Sequence, residues 1–211
     1  GLTNALSQLF EPAPNSPLTF VRIACHMNEF EPALPVFLWL KDKGYEVCIN
    51  LMQISDRSKE EIEKVAYIAS KHPIDVLYFA DSMGSMSPDQ TSEIIANLRN
   101  EWHGPLGVHT HNNMGQALAN SMRAVSDGVT WVDSTVLGMG RGAGNLKTEE
   151  IYSYLYQKDK IGINSLEKIK GKIFRPLLKK YKWGTNKYYK FAAIHSIHPS
   201  YVQELINNKS Y

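Results

Sequence analysis

GVHTHNNMGQALANS, residues 107–121, leaves an apolar, β-branched run through two histidines one residue apart, then two amides and a glycine. Side chains at i and i+2 of a strand point to the same face, about 7 Å apart along it. His109 and His111 can therefore reach one small object lying off the end of that strand. A divalent cation is the obvious candidate, because neutral imidazoles are common metal ligands. The spacing alone does not establish it. With 7 His among 211 residues, chance places an HxH pair in roughly one such chain in four or five.

The stretch is one member of a series. Apolar, β-branched runs occur at LTFVRIAC (18–25), EVCINLM (46–52), DVLYFA (75–80), LGVHT (106–110) and WVDSTV (131–136). Each is followed by a helical pattern, and the alternation argues for βα units on a parallel sheet. The helix signals are specific. SKEE (58–61) reads as a capping box with Ser58 as N-cap, and SPDQ (87–90) repeats it with Pro88 in the first turn. Pro32 reads as a first-turn proline and Gly44 as a helix stop, while a helix over 115–127 ends at Gly128. After about residue 147 the strand runs cease. TEEIYSYLYQ, SLEKIKGKIF, PLLKKY and PSYVQELI all read as helices.

The bulk numbers exclude several classes. A net charge of +2 with 21% charged residues gives no electrostatic case for nucleic acid. The basic run KIKGKIFRPLLKKYKW (168–183) is broken by apolar residues at helical spacing and reads as a solvated helix face. No apolar stretch approaches the ~18 residues of a membrane span. Cys25 and Cys48 sit inside apolar runs, with nothing resembling a disulfide framework, so a reducing cytoplasm is the expected setting.

The strand runs end in polar residues: His26, then Gln53, then Asp81 and Ser82, then His109 and His111, then Ser134 and Thr135. In parallel α/β folds the loops at these ends converge on one crevice or barrel mouth. Five βα units alone leave two architectures open, a doubly wound sheet and part of a barrel. The loop GMGRGAGN (138–145) has alternate glycines that permit positive φ and close backbone approach. It lacks the spacing and the downstream acid of a dinucleotide fingerprint.

VRIACHMNE, VLYFADSMGSMSP, GVHTHNNMGQALANS and VDSTVLGMGRGAGN, in that order and each at a strand end, resemble the metal-dependent pyruvate aldolases typified by 4-hydroxy-2-oxovalerate aldolase. They also resemble the wider superfamily with 3-hydroxy-3-methylglutaryl-CoA lyase and 2-isopropylmalate synthase. The likeness runs from about residue 18 to 150 and continues more weakly through WGTNKYYKFAAIHSIHPSYVQELI (183–206). That family is a TIM (β/α)8 barrel whose first strand carries a D-x-T-L-R-D-G type motif, and this chain has no such motif. The resemblance implies that the five strands are strands 4–8. A partial barrel carrying the metal site is expected over residues 1–150, with a C-terminal helical region over 151–211.

The resemblance also implies roles. His109 and His111 match the family's histidine metal ligands, and Asn145 matches an asparagine that completes the metal shell in the lyase branch. Manganese is the first-choice cation, with magnesium or cobalt as substitutes. Ser82 matches a serine at the edge of the 2-oxo-acid pocket. His26 is expected as a second-layer partner or pocket wall, and Asp81 as a local cap for its loop. Arg141 is read from its own chemistry rather than from the resemblance, either as a bidentate carboxylate partner or as a surface residue. Tyr188, with Tyr189 beside it, lies where the aldolases bring a tyrosine to the substrate. The implied activity is an enzyme, a carbon–carbon lyase that cleaves or forms a 4-hydroxy-2-oxo acid. Its substrates would be a small 2-oxo acid and an aldehyde, with no nucleic acid or membrane partner and a homo-oligomeric assembly. A Claisen-type acyltransferase and a degenerate, non-catalytic barrel are the alternatives. No cysteine follows Cys48, which counts against the CoA-lyase branch and its catalytic cysteine.

Overall fold

The computed structural model describes residues 2–208. A short helix α1 (Leu2–Ser7) precedes five alternating units: β1 (Phe20–His26), α2 (Phe30–Asp42), β2 (Glu46–Met52), α3 (Lys59–Ser70), β3 (Val76–Asp81), α4 (Pro88–Arg99), β4 (Leu106–Thr110), α5 (Ala117–Ser126) and β5 (Trp131–Val132). Five helices follow: α6 (Thr148–Leu155), α7 (Lys160–Ile169), α8 (Arg175–Tyr181), α9 (Lys187–Ile194) and α10 (Pro199–Asn207). A π-helical turn, Lys170–Phe174, joins α7 to α8.

All four strand pairs are parallel, and the order across the sheet is β1-β2-β3-β4-β5. A strictly sequential parallel order is the winding of a barrel, whereas a doubly wound sheet reverses its order at a switch point. The topology therefore resolves the choice that βα alternation leaves open. The sheet also curls. Across its concave face Phe20 of β1 stacks on Trp131 of β5, with ring centroids 5.4 Å apart. One layer higher, Arg22 of β1 reaches Asp133, just past β5, at 2.5 Å. The inward side chains of the two edge strands thus meet across the sheet.

Register assigns each side chain to one of two faces. The outward set, including Ile49, Leu51, Leu77, Phe79, Leu106 and Val108, packs on Phe37 and Leu40 of α2, Ile62 of α3, Ile94 and Leu98 of α4 and Ala124 of α5. Fully burying each such side chain contributes about 1.5–3 kcal/mol, so the main core lies between sheet and helices. The inward set begins with Phe20, Cys48, Val76 and Tyr78. Gly107 shares that face because a Cβ there would stand 2.4 Å from the Tyr78 ring. Further along the same face come Asn50, Ala80, His109 and His111.

Both capping boxes are present. Ser58 Oγ accepts from the Glu61 N–H and Glu61 accepts from the Ser58 N–H; Ser87 and Gln90 do the same. β2 and β4 match the apolar runs residue for residue. β5 is shorter than WVDSTV. The chain leaves the ladder after Asp133, and Thr135 pairs instead with Lys147 and takes the Leu146 carbonyl. α2 begins at Phe30, which places Pro32 in its first turn and Pro35 inside it. Both cysteines are buried free thiols.

The helical tail docks on the loops that follow β4 and β5. Trp183 Nε1 donates to the Leu137 carbonyl at 2.9 Å, and the Gly184 N–H donates to the Gly142 carbonyl. Thr185 Oγ1 donates to the Asn113 carbonyl at 2.7 Å. Tyr189, Ala192 and Val202 then pack on Ala143. No described helix is long and apolar enough to cross a membrane.

Candidate active site

The ends of β1 to β4 open into a cleft of about 720 Å³. His26, Asn50, Met52, Gln53, Ala80, Ser82, His109 and His111 line it from the strand side. Except for Gln53, all of them share the inward register. One parity, read across four strands, therefore assembles most of the wall. Arg141 enters from the loop after β5, and α10 supplies the far side.

The two strand histidines are held from behind. His109 Nδ1 lies 2.8 Å from Asp133 Oδ2. Burial works to raise the Asp133 pKa, but the His109 hydrogen bond and the Arg22 guanidinium hold its carboxyl below the ordinary carboxylate value. An ionised carboxylate can only accept, so His109 Nδ1 carries the proton. His111 Nδ1 lies 2.7 Å from the Asp81 carbonyl oxygen, which also only accepts. Burial first, then neighbouring His109, push the His111 imidazole down to about 4, so the ring is neutral at pH 7. In the neutral form each ring therefore directs its Nε2 lone pair away from these partners, and the ring centroids are 4.8 Å apart.

That donor set fits a divalent cation. Metal-binding imidazoles characteristically donate their other N–H to a carboxylate or backbone carbonyl, which fixes the tautomer. Asp133 and the Asp81 carbonyl are such partners. Among the described residues no group of three His, Cys, Asp or Glu side chains is disposed to hold a metal ion. The two imidazoles are a partial set.

Residues 30–170 match the HMGL-like family. The chain belongs to that family. It is 34% identical over 144 residues to 4-hydroxy-2-oxovalerate aldolase of Brevibacillus brevis, covering 68% of this chain and 42% of the relative. The aldolase of the same name from Pelotomaculum thermopropionicum is 38% identical over 134 residues, 64% of this chain and 40% of the relative. The chain thus spans about two-fifths of the length of these curated relatives. Among solved structures, the N-terminal domain of a provisionally assigned aldolase from Bacteroides vulgatus superimposes with a TM-score of 0.86 at 32% identity, covering 96% of this chain and 68% of that one. Bacillus subtilis HMG-CoA lyase shares the fold at a TM-score of 0.69 and 18% identity, over 90% of this chain and 70% of that one.

On this HMGL-like frame the sequence-derived candidates separate. His26, Ser82, Arg141, His109 and His111 line one cleft. Ser82 Oγ accepts the Gln53 N–H at 2.9 Å, so the hydroxyl keeps its own proton to donate. Asn145 lies beside His111 through a backbone bridge, while its side-chain amide donates to the Met139 carbonyl at 3.2 Å. Its side chain is not part of the cleft lining. Tyr188 lines a second cavity of about 760 Å³ between the glycine-rich loop and the tail, which shares Arg141 with the first. Asp81 caps its own loop: Oδ1 accepts from the N–H groups of Ser85 and Met86. Ser134 accepts a hydrogen bond from Thr148 and does not line the cleft.

Sequence reasoning missed Asp133, Asn50 and His198. Asp133 and Asn50 were findable by counting parity: an acid two residues beyond Trp131, and an amide inside the apolar run EVCINLM. His198 had no such signal, because only the docking of α10 brings it to the cleft.

Proposed function

We propose that the cleft is the site of a metal-dependent aldolase acting on 4-hydroxy-2-oxo acids. The observation that carries the reading is that His109 and His111 are each held at Nδ1 by an acceptor, which leaves both Nε2 atoms to a ligand. These two residues would hold the cation, with manganese first and magnesium or cobalt as substitutes. Asn145 is a further oxygen donor if its amide leaves Met139. A divalent cation bound there supplies Lewis acidity to the 2-oxo group, favouring the enolate charge released as the C3–C4 bond breaks.

The other assignments concern the chain's own groups. Arg141 offers a guanidinium to the substrate carboxylate, the pairing in which arginine forms two parallel hydrogen bonds. Ser82, with its oxygen already accepting, donates its hydroxyl proton toward the 2-oxo-acid end. His26 forms the wall on the β1 side. Tyr188 borders the adjoining cavity, where the aldehyde-derived part of a substrate would extend. In this reading residues 1–150 carry the metal site, and α10 of the C-terminal helical region covers it. The relatives' names and the four ordered motifs support the aldolase activity.

The test is pyruvate release from 4-hydroxy-2-oxovalerate with Mn2+, run beside thiol release from an acyl-CoA plus a 2-oxo acid. Pyruvate release abolished by His109→Ala or His111→Ala is the expected outcome. Thiol release without pyruvate would replace the aldolase with the Claisen-type acyltransferase, and neither product together with no metal bound in the full-length protein would favour the non-catalytic barrel.

A further inference from the structure

The wall of the cleft that α10 supplies differs in chemistry from an apolar lid. The helix has two faces. Val202 and Ile206, four residues apart, pack in the small apolar cluster with Ala143 and Tyr189. Tyr189 Oη adds a hydrogen bond of 3.0 Å to Gln203. Ser200, Tyr201 and Glu204, spaced three and four apart, share the opposite face and line the cleft. His198 is the N-cap of the helix. Among the described residues, those that α10 brings to the cleft all carry a polar group. The Ser200 hydroxyl, the Tyr201 phenol and the Glu204 carboxylate have no hydrogen-bond or ion-pair partner among them.

Glu204 narrows what this face can bind. A carboxylate in a cleft that takes a 2-oxo acid meets a ligand of its own sign. Among the described residues it does not join the two strand histidines in a group disposed to hold a metal ion. An acceptor so placed is satisfied by donors on the ligand. An ammonium group is one such donor, but the surroundings disfavour it. Burial first, and then the charge of Arg141, lower the His198 pKa at this end of the helix, so a second cation there would be repelled. Hydroxyl groups carry no charge. They give Glu204 a donor, and they give Ser200 and Tyr201 a donor and an acceptor at once.

We propose that the aldehyde-derived half of the substrate is a polyhydroxylated chain, its hydroxyl groups bound by Ser200, Tyr201 and Glu204 of α10. The proposal rests on the aldolase reading above and narrows its substrate class. The strand ends act on the 2-oxo acid, and the helix selects the aldehyde, the part that extends toward Tyr188 in that reading.

The test compares two kinds of 4-hydroxy-2-oxo acid on the full-length protein with Mn2+. One is 3-deoxy-2-oxogluconate, with its C4 epimer, whose tail carries hydroxyl groups. The other is 4-hydroxy-2-oxovalerate, whose tail is a methyl group. Pyruvate release is expected with kcat/KM about 10- to 100-fold higher for one of the two epimers. Glu204→Ala is expected to bring the compounds close to parity at an unchanged melting temperature, because Glu204 is exposed. Ser200→Ala is expected to remove part of the preference. A preference for 4-hydroxy-2-oxovalerate, or equal losses on both compounds in Glu204→Ala, would overturn the proposal.

Binding gives a readout that needs no turnover. With the cation removed by EDTA, calorimetry is expected to show one epimer binding about 10-fold tighter than 4-hydroxy-2-oxovalerate, a difference lost in Glu204→Ala. Equal affinity would overturn the proposal. If neither compound releases pyruvate but the difference in affinity is present, the aldolase reading falls and the polyhydroxylated ligand stands. If pyruvate is released and 4-hydroxy-2-oxovalerate is bound and cleaved at least as well, the aldolase reading stands and this proposal falls.

Discussion

Along the strand ends the cleft is lined by side chains whose positions follow from sheet register, whereas along α10 it is lined by side chains that one helix carries over the mouth. Behind the first wall lie Phe79, Leu77, Ile49 and Val108, all fully buried. On the second, Tyr201 is 63% and Leu205 51% exposed, and the anchor is a cluster of four buried residues. The strand wall is thus part of the folding core, and its polar groups are set before any ligand arrives. The helical wall is held by a handful of contacts and can change with little effect on stability.

Substitutions that strike each wall sharpen that contrast. The largest effect is expected from Phe79→Ala, which empties a fully buried aromatic site and costs about 3–5 kcal/mol in denaturant unfolding. Equal losses from Phe79→Ala and from a surface change on α10 would break the contrast.

The next effect is a pH dependence at the end of β3. Burial pushes the Asp81 carboxyl up to about 7, against an ordinary value of 3.8, although backbone N–H groups of its loop pull it down. Its Oδ2 is buried without a hydrogen-bond partner. The folded chain binds this proton more tightly than the unfolded chain. The resulting stability is fully present below pH 4 and is lost as pH rises through 7. In Asp81→Asn the Oδ1 acceptor is kept and the titration removed. Unfolding curves of variant and wild type should therefore diverge in the variant's favour between pH 4 and 8. A constant difference across that range would show that Asp81 does not titrate there.

Asp133→Asn keeps the shape behind His109 but removes the charge that fixes its tautomer. Divalent affinity is expected to weaken about 10- to 100-fold by calorimetry. An unchanged affinity would mean that Asp133 serves only Arg22. The smallest effect is Tyr201→Ala, within about 0.5 kcal/mol of wild type, and a larger loss would make α10 part of the core.

The same division explains what the sequence disclosed. β2 and β4, both capping boxes and the shared face of His109 and His111 follow from local periodicity and from parity along single strands. Position at the strand ends grouped His26 and Ser82 with them, because the loops at those ends of a parallel sheet converge. Asp133 was within reach of parity, but its ion pair with Arg22, 111 residues away on the opposite edge strand, was not. The curl that joins them is a property of the whole sheet. The short β5 depended on Leu146 and Lys147 competing for the backbone of Thr135. His198 and Tyr188 depended on how the tail docks, through Trp183, Gly184 and Thr185 onto loop carbonyls. No periodicity encodes that docking.

The central claim is that the strand wall presents two prepared imidazole lone pairs to a cation. It is tested most directly by titrating Mn2+ into the full chain while following the histidine ring resonances. Paramagnetic broadening of His109 and His111 at substoichiometric metal, lost in His111→Ala, is the expected result. Broadening that spares both rings while affecting other histidines, or that persists unchanged in His111→Ala, would contradict it.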